Sequence, residues 1–148
     1  MNSAKKLLPA IIVLFLIIPG AYAQVKPEDR IKGLWLTEEK DGKIEIFRTG
    51  NTYTGRLVWG NSVLDKNGNP KHDVNNPDPK LRSRPLQGMV MLTGLVYEDG
   101  TWQEGKIYNG LTGKSYSVVV TLNGNTLFLR GYIGLQLFGK TTVWQRVE

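Results

Sequence analysis

KSYSVVVTLNGNTLFLRGYI, residues 114–133, is the stretch on which the fold is decided. From Lys114 to Leu122 the residues Tyr116, Val118, Val120 and Leu122 share one face, with Ser115, Ser117 and Thr121 on the other. Leu127, Leu129 and Ile133 share a face of the next segment, with Gly131 where space is tight. A period of two is that of a half-buried strand, because successive side chains point to opposite sides of a sheet. Asn123-Gly124-Asn125 between the two segments is a hairpin turn signal. The same grammar extends in both directions. Upstream, strands are predicted at Met89 to Tyr97 and Thr101 to Tyr108, separated by Glu98-Asp99-Gly100 and followed by Asn109-Gly110 and Thr112-Gly113. Further upstream they fall at Gly33 to Thr37, Lys43 to Arg48 and Tyr53 to Trp59, joined at Asp41-Gly42 and Gly50-Asn51. Downstream, the Gly-marked connection Gly134 to Gly139 leads to a last strand at about Thr141 to Val147. Short strands in series, most joined by tight turns, predict an all-β, up-and-down, eight-stranded barrel, whose closure leaves no exposed edge. The interior of such a barrel is either packed with side chains or wide enough for one small ligand, and the alternation leaves both open.

One connection breaks the pattern. Gly60 to about Gly88, between the third and fourth strands, is dense in Asn, Asp, Gly and Pro. Asn76 is a candidate helix cap with Pro77 at the first helical position. Pro79 to Arg84 then supplies one or two helical turns before Pro85 stops them. Asp65, Asn67 and Asn69 imitate the start of a calcium loop, but Gly68 stands at the fourth position instead of the sixth and Asn76 replaces the Glu of the twelfth, so a plain turn is expected.

Residues 1–23 read as a cleaved export signal. Lys5 and Lys6 precede an apolar run from Leu7 to Ile18, too short for a span of about 20 residues. Pro19-Gly20 breaks the run, and Ala21-Tyr22-Ala23 offers small residues for cleavage. The expectation is a single domain over 24–148, periplasmic or secreted, with no further apolar segment to insert stably in a membrane. With no cysteine, the chain has neither disulfides nor a lipid-modified cysteine. Beyond Ala23, 17 Lys and Arg face 13 Asp and Glu, a net charge of about +4. That excess serves solubility or favours anionic envelope surfaces and ligands. No basic run with interleaved aromatics points to nucleic acid.

Two resemblances follow from these residues. Gly33-Leu34-Trp35 on the first strand, with Arg146 late in the last, resembles the lipocalin or calycin pattern, in which the arginine packs across the tryptophan ring and closes one end of the barrel. Nearly the whole of 24–148 is similar to a family of small exported bacterial proteins catalogued as a domain of unknown function. The similarity is carried by Gly33-Leu34-Trp35-Leu36-Thr37, by NPDPKLRSRPL at Asn76 to Leu86, by Gly105-Lys106-Ile107-Tyr108, Gly113-Lys114-Ser115-Tyr116 and Arg130-Gly131-Tyr132, and by Trp144-Gln145-Arg146. The resemblance implies a calycin-like barrel with Gly33, Trp35, Pro77, Pro79, Pro85 and Arg146 in structural roles. It implies no activity, and the cysteines that many relatives carry around the second and third strands are replaced here by residues such as Thr49, Tyr53 and Thr54.

The sequence carries little reaction chemistry. His72 is the one histidine and, without cysteine, makes a transition-metal site improbable. No nucleophile motif is present. Glu38, Glu39, Glu45, Asp99 and Glu104 sit beside turns or on polar strand faces, as solvated carboxylates do. A non-enzymatic protein without cofactor is expected. The candidate ligand residues are cations and aromatics. Arg82 and Arg84 in the long loop either clamp an anion or cap carbonyls and pair with Asp73 or Asp78 while the loop plugs the barrel. Arg48 continues the register of Ile44 and Ile46, so it either faces inward, where it needs an anionic partner, or twists out to solvent. Arg130 is a further cation, and Trp59 and Tyr116 are candidate apolar walls. These residues suggest a binder of a small, partly apolar, lipid-like ligand with an anionic head. The alternative is a protein- or polysaccharide-interaction module of the envelope with a filled barrel. The oligomeric state is open.

Overall fold

Turn chemistry sets the order in which the strands pair. The computed structural model describes residues 24–147, and the predicted export signal lies outside the described residues. The strands are β1 (Gly33–Leu36), β2 (Gly42–Thr49), β3 (Thr52–Gly60), β4 (Val90–Glu98), β5 (Thr101–Asn109), β6 (Lys114–Asn123), β7 (Thr126–Tyr132) and β8 (Lys140–Val147). They close antiparallel in chain order, and β8 returns to pair with β1, for example Trp35 opposite Arg146. This is the eight-stranded up-and-down barrel expected. Short turns after β2, β4 and β6 lie at one end, and the connections after β1, β3, β5 and β7 at the other, the mouth.

The inward face follows the alternation. Val118 and Val120 of β6 and Leu127 and Leu129 of β7 are buried among Trp35, Ile44, Ile46, Tyr53, Leu92, Leu95, Trp102 and Trp144. Alternation fails in three places, all bulges. In β4, Gly94 adopts φ +71°, so Leu92 and Leu95, three residues apart, are both buried. In β5, Glu104 adopts φ +61°, so Trp102 and Gly105, three residues apart, both face inward. In β3, the register against β2 shifts at Lys43/Ile44. β7 ends at Tyr132, so Ile133, expected inside, is exposed in the β7–β8 connection.

The end opposite the mouth is sealed by the 3₁₀ turn Pro27–Ile31. Ile31 is fully buried beneath it. Trp35 donates its indole N–H to the Ile31 carbonyl at 2.9 Å, Trp102 donates to the Glu28 carbonyl at 3.0 Å, and the Tyr53 hydroxyl donates to Asp29 Oδ1 at 2.8 Å. Arg146 lies 4.2 Å from the centre of the Trp35 ring and donates to the carbonyls of Lys32 and Arg30 at 2.8 and 2.6 Å. Gly33 has φ +132°, and a Cβ there would stand 2.7 Å from the Arg146 guanidinium. The Gly-x-Trp pattern and the late arginine are therefore one device: the glycine makes room for the cation that covers the ring.

Candidate functional site

Residues 61–89 fold across the mouth as a lid. The lid starts with the Asn61 N–H bonded to the Asp41 carbonyl at 2.8 Å and ends against Leu57 of β3, whose N–H donates to the Met89 carbonyl at 2.9 Å and whose carbonyl accepts from Gly88 at 2.6 Å. Val63, Leu86 and Met89 turn inward and are buried. The expected helix is a single 3₁₀ turn, Pro79–Leu81, capped by Asp78. Asn76 does not cap it, and Pro77 does not open it. Asn76 is buried against Asp73, and its Oδ1 accepts from the Asp78 N–H in a local turn at 2.8 Å. Pro79 takes the first helical position in place of Pro77. Pro85 bridges to His72 beyond the turn. Asp65 accepts from the N–H groups of Asn67 and Asn69 at 2.8 and 2.9 Å, the plain turn expected.

Asp73 latches the lid to the barrel. Its side chain is 0% exposed. It accepts from Tyr108 on β5 at 2.5 Å, from Asn76 at 2.7 Å, and from two guanidinium nitrogens of Arg84 at 2.9 and 2.8 Å. Burial works to raise the Asp73 pKa, but the bonds from Tyr108, Asn76 and Arg84 outweigh it and hold the carboxyl below its ordinary range. Burial, then the bond to Asp73, push the Tyr108 hydroxyl up to about 12. A second tie runs from Asn75 Nδ2 to the Leu111 carbonyl at 2.7 Å. It requires Gly113, where φ is +72° and a Cβ would collide with the Asn75 carbonyl.

Between lid and strands lies a cavity of about 300 Å³. Its walls are Ile44, Leu57, Val63, Leu86, Met89, Met91 and Ile107, with the rings of Tyr108 and Tyr116, and its polar groups are Thr37, Asp41, Ser62 and Asn109. The lining contains no lysine or arginine. Among the described residues no buried side-chain nitrogen or oxygen lacks a hydrogen-bond partner, and no three His, Asp or Glu side chains gather where an ion would be held.

Of the six residues expected to hold ligand, the structure brings only Tyr116 to this cavity. Arg82 donates to the Asn76 carbonyl at 2.8 Å and Arg84 is spent on Asp73, so both brace the lid. Arg48 sits at the sealed end with its side chain exposed to solvent, one of its guanidinium nitrogens 3.6 Å from Asp29. Arg130 lies between the inward Leu129 and Gly131, projects outward, and donates to the carbonyls of Gln136 and Leu137 and to Thr141 Oγ1. Trp59 is on the outer face beneath Lys43, displaced by the β2–β3 bulge. The sequence reading missed the wall residues Met91 and Ile107 and the latch partner Tyr108. Asp73, expected as a partner of Arg82 or Arg84, pairs with Arg84.

Residues 33–146 match the family described as "Uncharacterized protein conserved in bacteria (DUF2147)". Among solved structures, the chain is 30% identical to one described as "Protein HP1028 from the human pathogen Helicobacter pylori belongs to the lipocalin family", with a TM-score of 0.70. The match covers 79% of this chain and 82% of that one, and the barrel is accordingly lipocalin-like. No curated protein matches the chain.

Proposed function

The chain belongs to the DUF2147 family of bacterial proteins, and on that premise we propose that it is a non-enzymatic binding protein of the cell envelope, holding a small and largely apolar molecule under its lid. The observation that carries this reading is the apolar cavity at the barrel mouth. Its volume of about 300 Å³ lies at the small end of ligand pockets. A dry apolar cavity of about 150 Å³ takes up benzene, so about twice that volume suits a two-ring aromatic or a short acyl chain. The polar groups at its rim suit a hydroxyl or amide. Arg48, Arg82, Arg84 and Arg130, the cations expected to meet an anionic head, are engaged elsewhere, which favours an uncharged ligand. The lipocalin description of the Helicobacter pylori protein supports binding as the general role. The predicted leader supports an exported location.

Prodan (6-propionyl-2-dimethylaminonaphthalene), a neutral two-ring fluorophore, tests the reading. It is expected to bind saturably with a blue-shifted emission. Met91→Trp, which fills the cavity, is expected to abolish that binding while leaving the unfolding transition in place. Unsaturable binding, or equal binding by the filled variant, would remove the cavity from the account.

A further inference from the structure

The β7–β8 connection projects from the mouth with its apolar side chains in solvent. Ile133, Leu135, Leu137 and Phe138 are 73, 67, 77 and 78% exposed. Four large apolar side chains left in water on one short connection are costly, and such patches mark contact surfaces. The projection is also braced. Arg130 bonds the carbonyls of Gln136 and Leu137 at 2.8 and 2.7 Å, and Gln136–Phe138 forms a 3₁₀ turn. The side chains are therefore held outward by a fixed backbone.

Charge says what the surface meets. From Gly105 to Val147 the sequence contains no Asp or Glu, but it contains Lys106, Lys114, Arg130, Lys140 and Arg146. The wall formed by β6, β7 and β8 thus carries positive but no negative charge, and the projection rises from it. Glu38, which accepts from Thr142 Oγ1 at 2.9 Å, borders the strip on its β1 side. Lys140 and Lys114 are exposed beside the projection and Tyr132 is half-buried at its base. An apolar tip, a tyrosine at its base and flanking lysines are the layers that an anionic bilayer surface presents in reverse: acyl chains, interface and charged headgroups. A seven-residue convex projection is small against the roughly 800 Å² per partner of a standard protein interface.

We propose that residues 133–139 are a wedge that docks the barrel, mouth first, on an anionic lipid surface. The proposal is independent of what the cavity holds. Because the chain has no cysteine, Gln136→Cys and Asn125→Cys each accept a single environment-sensitive fluorophore. The first lies within the wedge and keeps all four apolar side chains. The second lies in the β6–β7 turn, at the sealed end. With phosphatidylcholine vesicles containing phosphatidylglycerol, the label at 136 is expected to shift blue and brighten, less so in high salt, and the label at 125 to stay unchanged. Response at both labels, at 125 alone, or at neither would overturn the wedge. Self-association without any vesicle response would overturn it in favour of a second copy. The double substitution Leu137→Ser/Phe138→Ser alters only exposed side chains and is expected to weaken vesicle binding about tenfold or more. Unchanged binding by a folded double variant would equally reject the proposal.

Discussion

Arg146 joins three parts of the chain through one planar cation. Its face covers Trp35, and its N–H groups reach two carbonyls of the N-terminal segment. Lysine carries the same charge but is a point donor and cannot stack and fork at once. Arg146→Lys is expected to lower stability by about 1–2 kcal/mol, measured by denaturant unfolding with an unchanged slope. At this scale the sequence was legible where a motif encodes a contact, as Gly33, Trp35 and Arg146 do. It was misleading where parity was counted across a bulge. Counting by twos from Tyr53 puts Trp59 inside, whereas the shifted register puts it under Lys43. At Arg48 the strand turns out to solvent, and the neighbouring Asp29 comes from a turn 19 residues away that alternation cannot locate.

The lid shows how an irregular element is held in a chain without cysteine. Val63, Leu86 and Met89 enter the barrel, while the lid's one buried carboxylate anchors it from the side. That carboxylate gives the lid a pH dependence of known sign. The Asp73 pKa lies below its ordinary 3.8, so its stabilisation is present above that value and is lost as pH falls through the folded pKa. Tyr108 is raised from 10 to about 12, so its share is intact below 10 and is lost as pH rises towards 12. Asp73→Asn is expected to cost about 2 kcal/mol at neutral pH and to flatten the acid limb of a melting-temperature profile. Part of that limb is expected to remain, since hydrogen bonds also hold Asp29 and Asp65 low. An acid limb identical to wild type would show that Asp73 does not carry it. The lid's existence and length were legible from its Pro, Asn and Gly density. Its path was not, because it is set by buried Asp73, which bonds Tyr108 35 residues along the chain.

For the whole molecule, the strand count and order could be read from turn chemistry, whereas the division into a filled half and a hollow mouth could not. That division depends on how far Val63, Leu86 and Met89 of the lid descend, which no local pattern states. The barrel's closure has a temporal consequence. β1 finds its second neighbour only in β8, and Arg146 reaches back 114 and 116 residues to its carbonyl acceptors. A chain emerging from its N-terminus therefore carries a first strand with one edge unpaired until nearly its last residues are available. Contacts so distant along the chain make for slow closure. Removing residues 140–148 is expected to abolish the cooperative unfolding transition, which calorimetry would record as a lost peak. On the exported reading proposed above, in which the chain crosses a membrane unfolded, this delay is useful: the knot of contacts that would jam a translocation pore is tied only by the segment that passes through last.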